Sequence, residues 1–123
     1  MELAEKITTE IRYAGREADG VINLAGKTHL RQLAAALKIC RLLLTNDTGP
    51  MHLAAAVGTP LVVPFGSTAP ELTGPIFSPM AQIVRSPAPC APCFRRECPI
   101  DLRCLNDIGV SQVVEAARRI LDA

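Results

Sequence analysis

Apolar residues recur at every fourth position in Leu3, Ile7 and Ile11. That spacing predicts an amphipathic helix over 2–14, ended by Gly15 or Gly20. The short apolar run Val21-Ile22-Asn23-Leu24 lies between glycines and predicts a strand. Leu30, Leu33, Ala34 and Leu37 share one face of a second helix over 29–38, with Thr28 as its N-cap. Continuous apolar runs over 41–45 and 61–64 predict buried strands, and 82–85 a weaker one. Between 41–45 and 61–64 lies a helix over 51–57, with Pro50 in its first turn and Gly58 after its end. A Gly/Pro-rich loop covers 65–79 and a cysteine-rich loop covers 86–108. A last helix, capped by Ser111, carries Val113, Val114, Ala117 and Leu121 on its apolar side. Strands alternating with helices predict an α/β fold with a largely parallel sheet.

Composition narrows the picture. Apolar residues make up 49% and charged residues 20% of 123 positions, with no Trp. This is a globular chain of one domain, 1–123, whose core is built from Ala, Leu, Ile and Val. A net charge of +1 supplies no basic field for nucleic acid. No apolar run approaches the roughly 20 residues that span a bilayer. The acidic N-terminus lacks a signal-peptide pattern, so the expected compartment is the cytoplasm, where thiols stay reduced. An α/β domain usually opens on a strand, so Met1 is expected to be a truncation start.

The strongest chemical signal is Thr45-Asn46-Asp47-Thr48-Gly49-Pro50-Met51-His52. It lies where a strand's C-terminal end meets a helix N-terminus, the edge at which open α/β sheets bind ligands. The first N–H groups of a helix lack internal partners and, with the helix dipole, suit a phosphate. Gly49 permits close approach, Thr48 adds a hydroxyl, and His52 can add an imidazole N–H. Asp47 would repel phosphate and suits sugar hydroxyls better. The competing reading is structural: Asp47 or Thr48 caps the helix and His52 is half-buried packing.

The stretch from Thr45 to Pro60 resembles the nucleotide-sugar motif of glycosyltransferase family 9, the heptosyltransferases. The likeness extends to Leu24-Ala25-Gly26-Lys27-Thr28, Pro64-Phe65-Gly66-Ser67-Thr68 and Pro89-Cys90-Ala91-Pro92-Cys93. The resemblance implies the C-terminal, Rossmann-like donor domain of a two-domain GT-B enzyme. Such enzymes move heptose from ADP-heptose to the lipopolysaccharide inner core, inverting the anomeric centre without a metal. It implies that Thr48 and Gly49 contact the diphosphate, Asp47 the heptose, and His52 the phosphate region, with Lys27 and Thr28 near the nucleotide. It also implies that an N-terminal domain holds the acceptor and the catalytic base. No catalytic residue is assigned within these 123 positions. The expected site is cytoplasmic, peripheral at the inner membrane.

Two further motifs stand outside that reading. Gly20 to Thr28 looks like a phosphate-binding loop, but five residues separate its first two glycines where the P-loop requires four. A strand, a glycine turn and a cap explain it as well. Cys90, Cys93, Cys98 and Cys104 could close a structural zinc site; an iron–sulfur cluster, disulfides and four free thiols are the alternatives. Arg95, Arg96 and Arg103 share that loop, either facing anionic lipid or simply solvated. The contrasting function is a small cysteine-loop, metal-binding interaction module. In the 3-2-1-4-5-6 order of such sheets, the strand at 41–45 lacks its inner neighbours. The expectation is that 21–24 pairs with it directly, or that two chains associate through that edge.

Overall fold

A computed structural model describes residues 2–14 and 20–123. The chain divides into two compact units, residues 1–33 and 34–123.

The first unit contains α1 (Glu2–Tyr13) and the start of α2 (Leu30–Ile39). None of α1's residues is buried. It ends before Gly20, and Gly15 lies outside the described residues. The predicted strand at 21–24 does not form. In its place Lys27 N–H donates to the Leu24 carbonyl at 3.0 Å, closing a turn with Gly26 at φ 72°. Positive φ at the third turn position suits glycine, so this segment is a turn and not a phosphate loop. Thr28 does not cap α2. The residue before the helix is His29, whose N–H donates to Oε1 of Gln32 at 3.1 Å. A glutamine three positions into the helix thus closes the N-terminus from inside.

In the second unit β1 (Leu43–Leu44), β2 (Leu61–Phe65) and β3 (Ala81–Arg85) form a parallel sheet in that order. Helix α3 (Gly49–Val57) crosses from β1 to β2, the short α4 (Pro70–Thr73) lies between β2 and β3, and α5 (Arg103–Asn106) precedes α6 (Val110–Leu121). The central strand β2 is almost wholly buried, as expected for a parallel strand covered on both faces. Val62 packs with Val84 and Ala116, and Ile108, Val113 and Ile120 close round them. Strand alternation turns Leu61, Val63 and Phe65 to the opposite face. All three are buried there, as are Met51 and Ala54 of α3.

Helix α3 stops at Gly58, whose φ of 81° is left-handed and whose N–H reaches back to the helix carbonyls. Thr59 N–H donates to the Ala54 carbonyl at 2.9 Å, completing the glycine-terminated cap. The buried Thr59 hydroxyl donates to the Leu37 carbonyl at 2.8 Å, so α2's last turn is tied to the start of β2.

Two expectations require correction. Ser111 lies inside α6; the cap is Gly109, whose N–H donates to Oε1 of Gln112 at 3.1 Å. The strand at 41–45 contracts to two residues that pair only with β2 among the described residues, and 21–24 forms no strand that could pair. An unpaired edge is costly where its backbone groups are buried, and Leu44 is 55% exposed. Water can satisfy so short an edge.

Candidate functional site

The C-terminal end of the sheet positions the site. Leu43 and Thr45 N–H groups donate to the Pro60 and Val62 carbonyls at 2.9 and 3.1 Å, which bring β1 beside β2. The segments after both strands, 45–48 and 66–68, therefore emerge side by side. Asn46 and Asp47 from the first meet Pro64, Gly66, Ser67 and Thr68 from the second around a cavity of about 140 Å³, with Leu105 of α5 as its apolar wall.

Thr48 occupies the N-cap position of α3, yet its side chain makes no capping bond. Its hydroxyl instead donates to the Asn46 carbonyl at 3.3 Å and meets the Thr45 hydroxyl at 3.4 Å. Asp47 does not cap either: Oδ2 accepts a hydrogen bond from the Thr73 hydroxyl at 2.6 Å. Neither structural role expected from capping is realised. The start of α3 is exposed at Gly49, Pro50 and His52. A Cβ on Gly49 would meet nothing within 4 Å. Met51 and Ala54 are buried three residues apart, so the helix is anchored by one face while His52 stays outside. His52 is not the half-buried packing residue of the competing reading.

The structure thus places Asp47 in the cavity wall, and Thr48, Gly49 and His52 along the adjoining helix start. Lys27 and Thr28 are exposed residues of the first unit. Sequence reasoning missed Thr73 and Leu105 as neighbours of Asp47. It quoted Ser67 and Thr68 without assigning them to the site, although their place directly after a parallel strand was a usable signal.

A second cavity of about 100 Å³ shares Gly66 and Thr68 with the first and is also lined by Glu71, Arg85 and Ser86. The Arg85 guanidinium donates to Glu71, and this bond holds the Glu71 carboxyl below its ordinary range. The pair is exposed, so its contribution to stability is small.

The cysteine-rich loop abuts the same site. The Ser67 carbonyl accepts from the Cys93 and Phe94 N–H groups at 3.0 and 2.8 Å. Backbone N–H groups of Ile100 and Leu102 hold the Cys98 thiol below its ordinary value. Burial, then negative charge on Cys90, Cys93 and Cys98, pushes the Cys104 thiol up. Among the described residues, no three His, Cys, Asp or Glu side chains are grouped closely enough to enclose an ion as they stand. Among them too, no helix is long and apolar enough to cross a membrane.

A parallel sheet flanked by helices, with polar loops gathered at its C-terminal edge, is the Rossmann-like arrangement of nucleotide-dependent α/β proteins. The sequence pattern of glycosyltransferase family 9 (heptosyltransferase) matches residues 1–103, and the chain belongs to that family. It is 35% identical over 102 residues to lipooligosaccharide heptosyltransferase 2 of Campylobacter jejuni, covering 82% of this chain and 32% of that protein. It is 43% identical over 63 residues to lipopolysaccharide heptosyltransferase 2 of Salmonella typhimurium, covering 51% and 18%. The solved Escherichia coli ADP-heptose LPS heptosyltransferase II superposes with a TM-score of 0.64 at 28% identity, covering 98% of this chain and 39% of that one. A family 9 glycosyl transferase from Veillonella parvula gives 0.61 at 32% identity, covering 80% and 28%. The fold is accordingly that of the GT-B glycosyltransferases, in part. The chain spans about a third or less of the length of these curated relatives.

Proposed function

We propose that this chain carries the donor-binding part of a heptosyltransferase site that uses ADP-heptose and serves lipopolysaccharide inner-core synthesis. In this reading the diphosphate lies at the start of α3, against Gly49 and the Thr48 hydroxyl, with His52 beside it. Asp47 faces the heptose, and the assignment of Lys27 and Thr28 to the nucleotide rests on the family resemblance alone. The observation that carries the reading is the open start of α3: no side chain caps it, and Gly49 leaves its approach clear. Pro50 has no N–H and the Met51 N–H donates to the Thr48 carbonyl at 3.1 Å, so the Gly49 N–H and the positive end of the helix dipole are what this start offers an anion.

No catalytic residue and no catalytic metal is assigned here. Two thirds or more of these curated relatives' length lies outside the matched region, and transfer requires both reactants held in line. The chain alone is therefore expected to bind ADP weakly and to transfer nothing. The lipopolysaccharide acceptor would be held by a further domain, on the cytoplasmic face of the inner membrane. Pairing of two chains along the outer edge of β1 is a separate element of the proposal, read by sedimentation at rising concentration.

Calorimetry with ADP and ADP-heptose tests the donor site directly. Gly49→Val should abolish binding, since the added methyls stand where the phosphate must approach, while the open space around Gly49 lets the variant fold. Unchanged affinity in a folded G49V protein would place the phosphates elsewhere.

A further inference from the structure

The segment between β3 and α6 lacks what ordinarily holds a loop. Every residue from Pro92 to Arg103 is exposed. The large apolar side chains it contains, Phe94, Ile100 and Leu102, are 49%, 60% and 50% exposed. Burial of apolar surface cannot be what keeps this stretch in one conformation. Phe94 and Leu102 nevertheless adopt left-handed backbone angles, with φ of 54° and 57°. Residues without glycine's freedom persist there only when their surroundings dictate it.

What the segment does contain is sulfur on one side. Cys90, Cys93 and Cys98 line a single cavity of about 270 Å³, together with Arg95, Pro99 and Ile100. Cys104 is the one buried thiol, in the first turn of α5. Both left-handed residues adjoin these thiols: Phe94 follows Cys93, and Leu102 N–H donates to Sγ of Cys98 at 3.3 Å. An N–H aimed at sulfur suits a thiolate, the form of cysteine that binds metal. The bend between Cys98 and Cys104 is fixed independently, because Asn106 Nδ2 donates to the Asp101 carbonyl at 2.9 Å and Asp101 pairs with Arg103 at 3.0 Å.

We propose that Cys90, Cys93, Cys98 and Cys104 are the ligands of a structural tetrathiolate zinc site that braces the wall of the Asp47 cavity. Four thiolates close a tetrahedral zinc shell at about 2.3 Å per Zn–S bond. The thiols must draw together to reach that distance, and three of the four are exposed. The C-x2-C-x4-C-x5-C spacing matches neither common ferredoxin run, which favours zinc over an iron–sulfur cluster. Binding would release thiol protons and take the place of the missing apolar core. The brace reaches the cavity by two routes. The Cys93 and Phe94 N–H groups hold the Ser67 carbonyl. Leu105, next to Cys104, forms the cavity's apolar wall. The inference does not depend on which ligand that cavity takes.

The test is elemental analysis of the 123-residue chain purified with reductant and without chelator, joined to thiol alkylation. About one zinc per chain is expected. Cys40 should alkylate at once, while Cys90, Cys93 and Cys98, though exposed, should react only after a chelator is added. Cys98→Ser and Cys104→Ser should lose the metal and Cys40→Ser should keep it. The wild-type measurement stands alone if those variants do not fold. Immediate alkylation of the three exposed loop thiols with no bound metal overturns the proposal. So do iron with sulfide in place of zinc, or loop disulfides without metal.

Discussion

The Thr73 hydroxyl donates a 2.6 Å hydrogen bond to Oδ2 of Asp47, joining α4 to the loop after β1 across 26 residues of sequence. The length lies within the range of hydrogen bonds from hydroxyls to carboxylates. Thr73 is therefore a positioning residue for Asp47. Thr73→Val keeps the shape and removes the donor. It should lower stability by about 1 kcal/mol in urea denaturation and weaken ADP-heptose binding more than ADP binding, because Asp47 is assigned to the sugar. Equal losses for both ligands would remove Asp47 from that role.

His52 is exposed beside the open start of α3 and does not contribute to the core. His52→Ala should leave the thermal midpoint nearly unchanged. It should raise the Kd for ADP roughly ten-fold or more, as for loss of about 1.5 kcal/mol or more in a hydrogen bond to a charged group. Calorimetry reads both ligand arms, and an unaltered Kd would show that the imidazole does not touch phosphate.

Two glycines in the second unit should respond to alanine for different reasons. At Gly58 an added Cβ meets nothing within 4 Å, but φ is 81°. Gly58→Ala should cost about 1 kcal/mol through the backbone alone, since left-handed angles bring Cβ against the carbonyl. At Gly66 the added Cβ would lie 2.5 Å from Cδ2 of Leu105. Gly66→Ala must displace Leu105, so its effect should appear at the cavity as weakened ligand binding as well as in stability. A Gly66→Ala protein that binds normally would show that Leu105 moves without consequence.

The Arg85 side chain holds the Glu71 carboxyl below its ordinary value of 4.5. A depressed folded-state value means that the stabilisation is complete above the ordinary value and is lost as pH falls through the folded one. Arg85→Gln should raise the NMR titration midpoint of Glu71 toward 4.5, and high salt should do part of the same. A midpoint indifferent to both changes would mean that the ion pair does not persist in solution.

The apolar period was enough to place most elements. Helices α1, α2, α3 and α6 and strands β2 and β3 lie within one or two residues of where the pattern of Leu, Ile, Val and Ala puts them. Except for α1, none of whose residues is buried, each buries a face or stripe whose spacing is written in the chain. The Asp47–His52 segment was legible for the same reason, since a strand, a short polar turn and a proline-started helix are local features. The family was legible in those residues as well, and the match over 1–103 bears it out. The site assignments themselves rest on the experiments above.

What tertiary structure decided was pairing and partnership. Val21-Ile22-Asn23-Leu24 has the composition of a strand, but a strand needs a neighbour for its backbone groups, and residues 21–24 stay irregular and lead into a turn at 24–27 instead. The choice of cap at Thr28 or His29, and at Ser111 or Gly109, depended on where Gln32 and Gln112 could fold back. Asp47 found Thr73, and Gly66 came against Leu105, through contacts 26 and 39 residues apart in sequence. Local sequence can state which residues are able to cap, pair or donate. Only the packed sheet, by bringing the ends of β1 and β2 together, decides which of those capacities is used and against which distant group.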